Sequence, residues 1–170
     1  MKNRIIFLGD EINHEVANII ISQLVYMEAN GKEPITLYIN SPGGSVTDGL
    51  AIYDTMQIVE PEIKTVCTGM AASMASILLC AGSKGQRNIL PNGQVLIHQP
   101  SGGTYGTAAD MTIDVNRINK AKDKLYAILA KHTGQPIEKI IQDSQRDFWL
   151  DSDEALAYGC VDKIVQYTKK

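Results

Sequence analysis

Short runs rich in β-branched residues alternate along this chain with longer runs whose apolar residues recur every third or fourth position. That alternation constrains the fold more than any single motif does. Arg4 to Leu8 reads as a first strand ended by Gly9, and Pro34 to Asn40, Ile63 to Cys67, Gln94 to His98 and Cys160 to Val165 read as further strands. Asn13 is placed to cap a helix whose Val16, Ile20, Leu24 and Met27 share a face. Further helices are expected over Asp48 to Val59, stopped before Pro61, and over the very apolar Ala72 to Ala81. The longest helical pattern runs from Thr107 to about Lys131, with Ile113, Ile118, Ala121, Leu125 and Ile128 at threes and fours. Pro136 opens another helix, and Asp151 with Glu154 makes a capping box on a last turn closed by Gly159. Repeated β-α-β units of this kind define an α/β fold, a mainly parallel sheet covered by helices. Chemistry in such folds gathers at the carboxyl ends of the strands. Here those ends carry the Ser41-Pro42-Gly43-Gly44 turn, the start of the Ala72 helix, and His98.

The 170 residues, 44% apolar and 21% charged, suit one domain (1–170) with a full hydrophobic core. Sixteen Lys and Arg against 19 Asp and Glu leave a net charge of −3 and no basic stripe, so nucleic-acid binding has little electrostatic support. The longest apolar stretch, Gly69 to Gly82, falls well short of the ~20 residues needed to cross a bilayer. The first residues make a poor secretory signal, because an acidic pair follows the apolar segment. Cys67, Cys80 and Cys160 have no metal-type spacing, and buried, reduced thiols in a cytoplasmic protein are the expectation. Neither G-x-G-x-x-G nor the phosphate loop is present, Gly82-Ser83-Lys84-Gly85 being no match, so no cofactor or nucleotide site is expected on this chain.

Several residues have both a chemical and a structural reading. Ser73 stands where a strand meets an apolar helix, with small neighbours in Ala71, Ala72 and Ala75. It either caps that helix or acts as a nucleophile beside free N–H groups able to hold an oxyanion. Gly43 and Gly44 either make a tight turn or present a bare backbone N–H to a carbonyl oxygen. His98 is either a structural residue at a strand end or a general base, suited to neutral pH by an ordinary pKa of ~6.5. His14 begins a helix, and His132 ends one, where an imidazolium would complement the dipole. For a carboxylate partner the chain offers Asp143, Asp147, Asp151, Asp153 and Asp162, and spacing does not choose among them.

Four segments, taken together, are more specific. Ile39-Asn40-Ser41-Pro42-Gly43-Gly44, Gly69 to Ala75, Ile97 to Gly103 and His132-Thr133-Gly134-Gln135 occur in that order, followed by Gln145-Arg146-Asp147, Glu154-Ala155 and Tyr158-Gly159. They resemble the Clp protease family, the ClpP-type serine peptidases, over nearly the whole chain. The resemblance implies a ClpP/crotonase-like β-α-β spiral with a protruding handle helix over approximately 101–132. It implies Ser73 as nucleophile, His98 as general base and Asp147 as the acid that orients it. Gly44 and Met74 would be the backbone donors of the oxyanion hole. A peptide would lie as an added strand between Gly44 to Thr47, which includes Ser45 and Val46, and Pro100, Ser101, Gly102 and Gly103. Val46 and Ser101 would face the side-chain pocket. Arg146 would pair across the interface between two stacked seven-membered rings. ATP would be used only by a separate AAA+ unfoldase that feeds unfolded polypeptide into the chamber, and the chain itself would need no metal. The first strand starts close to Met1, where the family carries some residues before it that form the axial pore loop. Either the chain is naturally short or this sequence starts internally, and docking to an unfoldase is the part of the resemblance it supports least. Two other classes stay open: a crotonase-type acyl-CoA enzyme, which uses similar glycine N–H groups without this Ser/His pair, and an idle ring subunit.

Overall fold

A computed structural model describes residues 4–167. The elements follow in the order β1 (Ile5–Leu8), α1 (His14–Ala29), β2 (Ile35–Ser41), α2 (Val46–Ile58), β3 (Ile63–Ala72), α3 (Met74–Cys80), β4 (Arg87–Ile89), β5 (Gln94–Ile97), α4 (Ala108–Thr133), α5 (Ile137–Asp143), β6 (Phe148–Leu150), α6 (Ser152–Tyr158) and β7 (Lys163–Ile164). The α/β class is as expected: β1, β2, β3, β4 and β7 pair in that order, all in parallel. Capping chemistry sets several boundaries. The Asn13 side chain accepts from the Val16 N–H at the head of α1, and the Asp151–Glu154 box opens α6. No helix among the described residues is long and apolar enough to cross a membrane.

β3 is the branching strand. Its first half pairs with β4 through Thr65, Val66 and Cys67, and its second half pairs with β5 through Met70, Ala71 and Ala72. The expected strand stopped at Cys67, and no strand was expected at Arg87–Ile89. The two differences have separate causes. Thr68-Gly69-Met70 lacks a β-branched run, so pairing with β5 rather than propensity holds it extended, whereas β4 is three residues long, too short for a periodic pattern to show. The SPGG turn is fastened to this region, with the Asn40 side chain accepting from the Met70 N–H at 3.1 Å. Ser41 is fully buried and donates to the Asp10 carbonyl at 2.6 Å, while accepting from the Gly43 N–H. α3 packs wholly inside, and Leu78, Leu79 and Cys80 have no exposed surface.

Arg87 is a buried cation at the meeting point of three helix ends. Its guanidinium binds Asp162 through Nε at 2.9 Å, and its Nη1 donates to the carbonyls of Cys80, His132 and Gly159 at the ends of α3, α4 and α6. Carbonyls at helix ends lack intrahelical partners and carry the negative end of the dipole, which one guanidinium satisfies here three times over. Arg87→Met is expected to lower unfolding free energy by about 3–5 kcal/mol, since it strands a carboxylate and three carbonyls. Urea denaturation checks this, and a loss below about 1 kcal/mol would refute the role.

His132 departs from its expected part. It is half-buried, hydrogen-bonded to the Tyr53 hydroxyl at 3.1 Å, and its pKa is pushed down to about 4 by burial, Lys131 and Arg87. A neutral ring, rather than a dipole-compensating imidazolium, therefore sits there at neutral pH. The unfolded chain takes up this proton near pH ~6.5 while the folded chain does not until about 4. Stability should thus rise with pH across that window, and His132→Gln should flatten the slope of melting temperature against pH. An unchanged slope would count against a neutral buried ring.

α4 divides into two parts. Leu125, Tyr126, Ile128 and Leu129 are buried against the body, whereas Met111, Ile113 and Val115 are exposed, Ile113 by 66%. The expected apolar stripe is continuous in sequence, but within this chain its C-terminal part is buried, Ile118 is half-buried and the first two turns are exposed.

Candidate active site

Ser73 joins β3 to α3 directly. It is the N-cap of α3, yet its side chain makes no capping bond, which removes the bland reading of the residue. Its backbone is held at φ 55 and ψ −123, a sparsely allowed combination for a residue with a Cβ. Such a position costs on the order of 1–3 kcal/mol and persists only when its surroundings impose it. They do so here by continuing the ladder: the Ser73 N–H donates to the Leu96 carbonyl at 2.9 Å. The expected helix began at Ala72, but β5 pairing carries the strand through Ala72, so Ser73 stands at the corner rather than inside the first turn. Ser76, nearby, is committed elsewhere, donating to the Ser73 carbonyl at 2.7 Å.

Strand register then delivers the other two side chains. β5 and β6 are antiparallel, with Leu96 opposite Trp149 and Ile97 opposite Phe148. The next positions outward are His98 and Asp147, and their side chains meet, Nδ1 to Oδ1, at 3.0 Å. On the other side of β5, Ala72 lies beside Leu96, so Ser73 is level with Ile97 and adjoins His98. Three strand ends thus bring one residue each to the same edge of the sheet. Ser73 and His98 line a common narrow pocket. Three of the other four carboxylates are engaged away from it, Asp143 with Lys139 and Tyr158, Asp151 as the α6 cap and Asp162 with Arg87, and Asp153 is exposed in the first turn of α6.

The glycine turn approaches from β2. A Cβ on Gly43, at φ +89, would lie 2.5 Å from the Ala72 oxygen, 2.8 Å from the Ser73 Cβ and 2.9 Å from the Met74 nitrogen. Gly43 is therefore the glycine that lets this turn sit against the serine, a contact that local sequence could not assign. Gly44 pairs with Ile12 on the other side. The Ile12 N–H donates to the Gly43 carbonyl and the Ser45 N–H donates to the Ile12 carbonyl, which leaves Gly44's own N–H and C=O aimed away from Ile12. Met74 is the first residue of α3, where the N–H has no intrahelical acceptor.

The expected peptide edge needs correction. Val46 and Thr47 belong to the first turn of α2, with Ser45 as its cap, so the extended edge narrows to Gly44. The pocket that Ser73 and His98 line is closed by Val46, Ile77, Pro100, Leu125 and Leu129, and Pro100 takes the place expected for Ser101, which is exposed. Gly102 lies against Ile118 of α4, Gly103 is exposed, and Arg146 is exposed beside Asp147.

The α/β fold, with its mostly parallel sheet and the strand ends gathered at one edge, is of the kind that ClpP-type peptidases have. The family model described as Clp protease matches residues 1–168, and the chain belongs to that family.

Proposed function

We propose that this chain is a serine endopeptidase subunit. His98 takes the Ser73 proton as Oγ attacks a peptide carbonyl, forming the C–O bond while the carbonyl π electrons move onto oxygen. The oxyanion lies between the Gly44 and Met74 N–H groups. Collapse of the intermediate breaks the C–N bond as His98 returns the proton to the amine, and water, activated by the same base, releases the acyl group. Asp147 holds the ring tautomer and stabilises the imidazolium. The observation that carries this reading is the His98–Asp147 pair set one position from Ser73 by the β3–β5–β6 register.

The pocket beside Ser73 is lined mainly by apolar side chains and holds only about 20 Å³, which supports a small apolar residue, rather than a charged one, on the acyl side of the cleaved bond. Peptides with Ala there should exceed those with Asp by about 10²-fold in kcat/KM, because a carboxylate would be buried without a partner. Equal cleavage of both would overturn the pocket assignment. The exposed stripe of Met111, Ile113 and Val115 supports packing of α4 between two stacked heptameric rings, with Arg146 at that junction. Unfolded polypeptide would reach the enclosed sites through a partner AAA+ unfoldase, which alone would use ATP. Three unpaired, buried cysteines fit a cytoplasmic, reducing setting.

A further inference from the structure

The His98–Asp147 contact lies outside regular structure. The β5–β6 ladder ends at Ile97–Phe148, one pair short of it, and Asp147 sits in the turn between α5 and β6 with its side chain 65% exposed. An exposed pair of this kind has little to hold it in one geometry. Something on the far side must keep the incoming turn from swinging away from the histidine. That contact comes from the residue after His98: the Gln99 N–H donates to the Ser144 carbonyl at 2.7 Å, and the Gln99 Nε2 donates to the Gln145 carbonyl at 3.0 Å. The pair is thus bracketed, by the ladder on one side and by two bonds from a single residue on the other.

We infer that Gln99 is a positioning residue for the proposed triad, its side-chain amide clamping the 144–147 turn so that Asp147 stays against His98. The inference rests on the serine-peptidase reading above. The backbone bond survives any substitution, so the side chain is the adjustable half of the clamp. It touches neither Ser73 nor the pocket beside it, and its loss should act on turnover rather than on substrate binding.

The test is a double-mutant cycle on a short fluorogenic peptide, with folding and assembly followed by thermal melting and sizing. Gln99→Ala should lower kcat on the order of ten-fold with KM unchanged, the scale of one lost hydrogen bond. Gln99→Glu, the same size but lacking the N–H donor, should fall equally. In an Asp147→Asn background, Gln99→Ala should add no further loss, which a merely structural role would not predict. Wild-type kcat in Gln99→Ala, a change confined to KM, or an equal loss in both backgrounds would overturn the inference. So would loss of folding in both Gln99 variants, since the contact would then serve the fold. If Ser73→Ala and Asp147→Asn themselves kept full hydrolysis, the peptidase reading would fall instead, so the two failures are distinguishable.

Discussion

Ser73→Ala should reduce hydrolysis of a short peptide by on the order of 10⁴–10⁶-fold while leaving the melting temperature nearly unchanged. Both halves of this expectation come from the same corner. The Ser73 hydroxyl caps nothing in α3, so removing it costs little structure. Alanine carries the same Cβ as serine and inherits the same backbone strain at φ 55. What disappears is the hydroxyl proposed to attack the carbonyl. A large drop in stability would show instead that the hydroxyl is part of the fold.

Gly43→Ala has the second-largest expected effect. The added methyl would meet the Ala72 oxygen, the Ser73 Cβ and the Met74 nitrogen, all within 3 Å, at a φ of +89 that alanine rarely adopts. None of these neighbours is the flexible end of a side chain, so the turn itself must retreat from Ser73. Gly44, next along that turn, would be carried with it. Losing one oxyanion donor costs on the order of 10²–10³ in turnover, and Gly43→Ala should lose at least that. Gly44→Ala should fail differently. Its methyl would strike the Ile12 backbone, 2.3 Å from the oxygen, and break the bridge that anchors the turn, so stability falls along with activity. Comparing kcat and urea midpoints of the two variants checks this, and wild-type kcat in Gly43→Ala would refute the close approach.

The fold was readable where local chemistry and tertiary pairing agree. Asn13, Asp151 and Gly159 mark the ends of real helices, and the apolar spacing of Ile20, Leu24 and Met27 marks a real buried face. Residues became illegible where pairing overrode propensity, as in the second half of β3, or where three residues sufficed for a strand, as in β4. The same division runs through the site. His98 sits at a strand end that periodicity could find and Ser73 near the head of a helix that it could, but Asp147 could be chosen only by register or by family resemblance. Five aspartates were equivalent until β5 and β6 were aligned antiparallel and brought positions 98 and 147 opposite one another. Gly43 was hidden for a similar reason, because its role depends on a backbone 30 residues away in sequence. The helical start at Val46 was hidden too, since Ser45 as a cap competes with an extended reading of the same segment.

The most direct measurement is the mapping of a covalent fluorophosphonate adduct by peptide mass spectrometry on the purified protein. Under the proposed mechanism the Ser73 hydroxyl should carry the label, so the adduct is predicted on Ser73 alone, at a rate that His98→Ala abolishes. Labelling at Ser76 or Ser101, or labelling of Ser73 that is indifferent to His98, would contradict the account.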